Sequence, residues 1–226
     1  MLVNLAVLDT HFSFRYNSYR GDIMIFPYGE TEIEYLKNRD ARLGTVIDRV
    51  GFISREVDGD IFASIVKNIA GQQISNAALE TVLGRLIEAC GEITPANICA
   101  VGVERLRACG MGMRKAENIF DIARKVCEGE TDLEILRSLP DEEIISRLTS
   151  FRGIGRWTAE MLLIFTFLRP NVLSFGDFGI KRGMELLYGE EKLTRKKFNE
   201  YREIYSPYAT IAGFYLWAVA NGDILI

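Results

Sequence analysis

Ser150-Phe-Arg-Gly-Ile-Gly-Arg-Trp-Thr-Ala-Glu160 is the stretch on which the reading of this 226-residue chain turns. A predicted helix from Asp141 to Thr149 precedes it, and an apolar helix running to about Leu168 follows. Gly153 and Gly155 therefore fall in a tight helix-to-helix turn. Such a turn uses glycine for two reasons. It demands unusual backbone angles, and it lets main-chain N–H groups at the N-terminus of the new helix approach an anion with no Cβ in the way. Ile154 between the glycines pins the hairpin to the core. An αα-corner whose glycines serve close packing alone satisfies the same residues, so the turn by itself leaves both readings open.

Downstream lies Ser174-Phe-Gly-Asp177-Phe-Gly-Ile-Lys-Arg-Gly183, the start of another helix. Asp177 stands at its mouth. A carboxylate there is an ordinary N-cap; it is also the group that would activate water, or stabilise positive charge developing on a sugar as a base departs. Lys181 and Arg182 suit either a phosphate backbone or a solvated face. Upstream, Gln72-Gln73-Ile74-Ser75 reads as a helix-capping turn with Ser75 as cap. The second glycine turn, Cys109-Gly-Met-Gly-Met-Arg-Lys115, is either a connector or a source of further backbone contacts through Arg114 and Lys115.

The remainder of the chain frames these motifs as a mainly α protein. Phe12, Phe14 and Tyr16 alternate with polar residues and Ile23 to Phe26 follow a turn, which predicts a small β-hairpin or sheet over residues 1–28. Beyond Tyr28 the signals are helical. Thr31 with Glu34 and Thr131 with Glu134 fit capping boxes; Asp40, Asp60, Ser75 and Thr194 fit N-caps; Pro95 and Pro207 fit first turns. Gly51, Gly71, Gly91, Gly129 and Gly189 fit helix ends, giving roughly a dozen short helices. No stretch is long and apolar enough for a membrane span, and no secretory leader is evident, so a cytoplasmic protein is expected. The cysteines at 90, 99, 109 and 127 lack metal-ligand spacing and read as reduced thiols. A single histidine, His11, excludes most metal-dependent hydrolysis and triad chemistry.

Charge argues in two directions. The 27 basic and 31 acidic residues give a net charge of −4, which taken whole disfavours a phosphate-backbone partner. Residues 1–144 hold 16 bases and 23 acids, whereas residues 145–205 hold 11 bases and 7 acids. The basic segment is the one containing the hairpin and Asp177.

Four motifs in order, Ala70-Gly-Gln-Gln-Ile-Ser75, Gly153-Ile-Gly-Arg-Trp-Thr-Ala159, Asp177-Phe-Gly-Ile-Lys-Arg-Gly183, and Pro207-Tyr208 with Tyr215-Leu-Trp217, resemble the helix-hairpin-helix (HhH-GPD) DNA glycosylases. The resemblance spans roughly residues 30–217 and is nearest to the 3-methyladenine DNA glycosylase II branch. It implies two helical subdomains with the active-site cleft between them. One would be formed by 29–60 plus 176–226 and carry the essential aspartate, Asp177; the other, 61–175, would end in the hairpin. The hairpin from Phe151 to Arg156 would grip the DNA backbone through N–H donors around Gly153, Ile154 and Gly155, with Arg156, Lys181 and Arg182 adding contacts. Gln72, Gln73 and Ser75 would enter the minor groove, with the gap-filling side chain open between Gln73 and Ser75. Trp157, Met161 and Trp217 would line the base pocket, where an electron-rich ring suits a cationic alkylated purine.

Trp157 occupies the position of the Schiff-base lysine of bifunctional relatives, which implies a monofunctional enzyme of base excision repair acting on double-stranded damaged DNA as a monomer. No catalytic cofactor is implied. The main-chain carbonyls of Thr149, Phe151 and Ile154 would hold a Na⁺ or K⁺ ion. In a prokaryote such a protein would associate with the nucleoid. Arg152 stands where the family commonly has proline, and Ala209-Thr210 stand where it often has Arg-Ser. Two other readings compete: a non-catalytic DNA-binding module of the same fold, and a glycosylase for hypoxanthine or an oxidised purine.

Overall fold

The computed structural model describes residues 24–222. Among them are eleven α-helices and one two-stranded antiparallel sheet. The chain divides into two compact units, 24–57 with 168–222, and 58–167.

The first unit holds β1 (Met24–Ile25), α1 (Glu30–Arg39), α2 (Ala41–Val50), β2 (Glu56–Val57), α9 (Phe178–Tyr188), α10 (Arg195–Tyr205) and α11 (Ala209–Asn221). β1 pairs with β2, Met24 opposite Val57. Met24 and Ile25 thus find their partner after α2; the aromatic positions 12, 14 and 16 of the predicted hairpin lie outside the described residues. α11 is apolar around its whole circumference, as a helix at the centre of a unit must be. It buries Ile211, Phe214, Tyr215 and Leu216 almost completely, each removing enough apolar surface from water to contribute roughly 1.5–3 kcal/mol. α9 lies on it so closely that a Cβ on Gly183 would stand 2.1 Å from the Leu216 carbonyl oxygen.

The second unit holds α3 (Ile61–Gly71), α4 (Asn76–Cys90), α5 (Pro95–Ala108), α6 (Met113–Cys127), a 3₁₀ turn (Glu134–Ser138), α7 (Asp141–Thr149) and α8 (Arg156–Phe165). Its core is built from Ile65, Ile69, Leu86, Ile98, Leu106, Ile119 and Leu148. The unit boundaries fall at 57/58 and 167/168, earlier than the expected 60/61 and 175/176. Hydrogen bonds explain both shifts. The Asp58 amide donates to the Phe165 carbonyl at 3.0 Å, tying residues 58–60 to the end of α8. The Thr210 hydroxyl donates to the Arg169 carbonyl and accepts from the Val172 amide, tying residues 169–172 to α11.

Local signals behave unevenly. Asp40, Asp60, Ser75 and Thr194 cap helices with their side chains, as expected. The cap of α1 is Gly29, whose amide donates to Glu32, and the 3₁₀ turn starts with the Glu134 amide on Asp132; neither is the predicted Thr box. Pro95 opens α5, whereas Pro207 lies between α10 and α11. Gly71 ends up inside α3, with Gln72 as cap. No single helix among the described residues is long and apolar enough to cross a membrane.

Candidate active site

In the first unit the chemistry gathers at the start of α9. Asp177 is its N-cap: Oδ1 accepts the Ile180 amide at 2.8 Å. The same oxygen accepts the indole Nε1–H of Trp217, from α11, at 3.0 Å. Asp177 is 5% exposed and Trp217 half-buried, its ring stacked near Phe214 at 6.1 Å between centroids. The carboxylate is therefore both a cap and a group oriented by a second side chain, so the two readings of Asp177 coexist. Gly179 makes room for this: a Cβ there would lie 2.7 Å from Trp217 Cδ1 and 3.3 Å from Asp177 Oδ1. With Gly183 four residues on, it forms a helix face without side chains, which lets the indole reach the carboxylate.

Sequence reasoning missed Phe178. It follows Asp177 directly and is 61% exposed, the most exposed large apolar side chain among the described residues. The signal was available, because an aromatic at the first position of a helix beside a candidate carboxylate has no core to join. Lys181 and Arg195 both approach the face of Phe175, at 5.2 and 4.3 Å from its centroid, and Arg182 is exposed.

In the second unit the hairpin between α7 and α8 has its two glycines in different states. Gly153 sits at φ +89°, where L-residues are strained, and a Cβ on it would stand 2.5 Å from Asn118 Nδ2. Gly155, the N-cap of α8, has an ordinary extended backbone, φ −90°, and open space where a Cβ would go. Unusual angles therefore account for Gly153 only; the open approach to main-chain N–H groups is what remains for Gly155. Gly155 has no side chain with which to cap α8, so the helix begins without a side-chain cap from that position. Ile154 is buried, as expected of the hairpin's anchor.

Other expected contacts are redistributed. Arg156 grips Glu142 with two bonds, 2.6 and 3.1 Å, and donates Nε to Glu160 at 2.9 Å. Its hydrogen bonding to Glu142 raises its pKa further, and its charge is matched within its own unit rather than offered to a backbone. Trp157 is half-buried, while Met161, one turn later, is 2% exposed and belongs to the core. Ser75 spends its hydroxyl on the Ala78 amide as the cap of α4. Gln73 is exposed and held at φ +59°. Gln72 donates Nε2 to the Gly153 carbonyl at 2.7 Å, joining the two motifs. The Phe151 carbonyl accepts the Ile154 amide at 3.2 Å.

Residues 66–207 match the family described as HhH-GPD superfamily base excision DNA repair protein. The chain is 35% identical over 165 residues to DNA-3-methyladenine glycosylase 1 of Schizosaccharomyces pombe, an alignment covering 71% of this chain and 72% of that one. The structure of a DNA-3-methyladenine glycosidase from Bacillus halodurans superposes with a TM-score of 0.79 at 33% identity, over 89% of this chain and 94% of that one. A Schizosaccharomyces pombe 3-methyladenine DNA glycosylase in complex with abasic DNA gives 0.75 at 29%, over 87% and 100%. The coverage runs through the hairpin, Asp177 and the Gln72–Ser75 turn together, and the chain belongs to the HhH-GPD superfamily of base excision DNA repair proteins.

Proposed function

We propose that this protein is a monofunctional DNA glycosylase that removes alkylated purines of the 3-methyladenine type. The observation that carries the reading is the buried Asp177 carboxylate fixed by Trp217 Nε1 and the Ile180 amide. An alkylated purine is cationic, so its glycosidic bond is already weakened. As that bond breaks, its electron pair leaves with the base, which departs neutral, and positive charge develops on the sugar at C1′. A carboxylate held rigidly beside that centre stabilises the charge and accepts the proton of the water that adds to C1′. The product is an abasic site. Trp217 offers an electron-rich ring to a flipped cationic base, and exposed Phe178 adds a second aromatic next to the carboxylate.

Several finer points follow the same reading. Trp157 has no amine with which to form a Schiff base, in keeping with base release without strand cleavage. Because the Ser75 hydroxyl is committed to its helix, Gln73 is the side chain available to fill the gap left by a flipped nucleotide. The N–H groups around Gly153 and Gly155 contact phosphate, with Lys181 and Arg182 adding charge. The carbonyls of Thr149, Phe151 and Ile154 are hard oxygen donors of the kind a monovalent cation takes, and such an ion would brace the hairpin. We place the protein in the cytoplasm, acting as a monomer on double-stranded DNA.

The test is base release from duplexes carrying 3-methyladenine, hypoxanthine or 8-oxoguanine, with and without alkaline treatment. Release of the alkylated base, with strand breaks appearing only after alkali, is expected. Binding without release from any duplex would leave a DNA-binding module, and breaks before alkali would overturn the monofunctional reading.

A further inference from the structure

Three segments that look separate in sequence meet within the unit 58–167. Lys115, in the first turn of α6, donates from Nζ to the main-chain oxygens of Ala70 at 2.8 Å and Gln72 at 2.5 Å. These carbonyls end α3, where they lack helical partners and where the helix dipole favours a cation. No carboxylate among the described residues pairs with this ammonium, and burial lowers its pKa. The ammonium is part-buried, and these two carbonyls fix its position.

The carbonyl it grips most closely, that of Gln72, belongs to the peptide that leads into Gln73 at φ +59°. A left-handed conformation is unfavourable for a non-glycine residue and persists where the surroundings over-determine it. The Gln72 side chain meanwhile holds the Gly153 carbonyl. Asn118, one turn beyond Lys115 on the same helix, lies against Gly153 itself. One helix thus braces both the Gln72–Ser75 turn and the hairpin.

We propose that Lys115 is a positioning residue: its ammonium clamps the end of α3, holds Gln73 in its left-handed state and sets the turn against the hairpin before DNA arrives. Its effect on base release rests on the glycosylase reading above; its effect on lesion binding does not. Lys115 therefore acts through the protein's own carbonyls rather than on the DNA backbone, although it sits in a glycine turn that would suit a phosphate contact.

The experiment compares the full chain with Lys115→Met, which keeps the aliphatic stem and removes the donors, and Lys115→Arg, which keeps charge and donors. Affinity is measured for a duplex with an abasic-site analogue and for the same duplex undamaged, alongside single-turnover release from alkylated DNA and thermal melting. Lys115→Met is expected to lose about tenfold in preference for the abasic analogue and about tenfold in release rate, the scale of a small misplacement. Undamaged-duplex affinity should stay within about twofold, and Lys115→Arg should recover most of the loss, since these terms report orientation rather than charge. Preference within about twofold of wild type, a loss shared fully by undamaged DNA, or a Lys115→Arg protein no better than Lys115→Met would each overturn the proposal. If Lys115→Met does not fold, Lys115→Arg decides: lesion preference within about threefold of wild type supports the clamp and anything lower overturns it. A wild-type protein that releases no alkylated base defeats the proposed function, while the abasic-duplex arm still decides the role of Lys115.

Discussion

The Asp177 region and the Gly153 hairpin are both glycine-rich helix starts, yet they use glycine in opposite ways. At α9 the glycines are steric: Gly179 and Gly183 clear a face so that α11 can press Trp217 onto the carboxylate, and the groups we propose to work are side chains held by packing. At the hairpin the groups we propose to work are main-chain N–H and carbonyl groups. Gly153 is required by its backbone angle, and Gly155 faces open space. A side chain that must act on developing charge has to be locked by packing, whereas a backbone that must meet phosphate has to stay uncovered. Breaking the first should cost chemistry or stability; breaking the second at Gly155 should cost DNA contact alone.

The largest effect is expected from Asp177→Asn. Asparagine caps a helix as well as aspartate does, so thermal melting should stay close to wild type. Loss of the charge should lower single-turnover base release about a thousandfold while duplex binding persists. Near-normal release by this variant would remove Asp177 from the mechanism. Gly183→Ala comes next, because its Cβ would stand 2.1 Å from the backbone carbonyl of Leu216, which no rotamer change relieves. Overpacking of this kind should lower unfolding free energy by about 3 kcal/mol, read from the urea midpoint. An unchanged midpoint would mean that α9 and α11 do not pack as described.

Trp217→Phe is the finer probe of the same region. It keeps an aromatic beside Phe214 and deletes the Nε1–H bond to Asp177 Oδ1 together with part of the indole's packing area. A hydrogen bond to a charged group is worth roughly 1.5–3 kcal/mol, so the rate of release, measured well below the melting transition, should fall about tenfold or somewhat more, alongside a modest loss in melting. If rate and melting fall together in proportion, the indole is core and nothing else.

How far the sequence reveals this arrangement follows from the range of each interaction. Asp40, Asp60, Ser75 and Thr194 were legible as caps because a cap is settled within three residues. Asp177 was legible as a cap and, through its motif, as a candidate carboxylate. Its bond to Trp217 spans 40 residues, and nothing local announces it. The pairing of Arg156 with Glu142 was hidden for the same reason: an arginine beside a glycine turn looks available until the fold brings α7 alongside. The near-complete burial of Met161, one helical turn from Trp157, was not legible because it depends on neighbours distant in sequence. The unit boundaries shifted because hydrogen bonds at Asp58 and Thr210 assign the linking residues, and these bonds are non-local too.

The smallest effect in the comparison is the most discriminating. Gly155→Ala changes a residue with φ −90° and nothing within 4 Å of the new Cβ, so the folded state has no steric reason to object. Removing glycine's freedom from the unfolded chain should offset the poorer capping by alanine, leaving stability within about 1 kcal/mol of wild type. The methyl group would nevertheless stand where an anion must come to reach the N–H groups at the start of α8. Affinity for undamaged duplex should therefore fall severalfold, on the order of 1 kcal/mol, while melting stays close to wild type. Because the arginine beside it is paired with two carboxylates, few phosphates are neutralised there. The loss should then persist across salt concentrations, leaving the slope of log affinity against log salt nearly unaltered. A Gly155→Ala protein that binds DNA normally would place the hairpin with α9, as glycines that serve packing rather than contact.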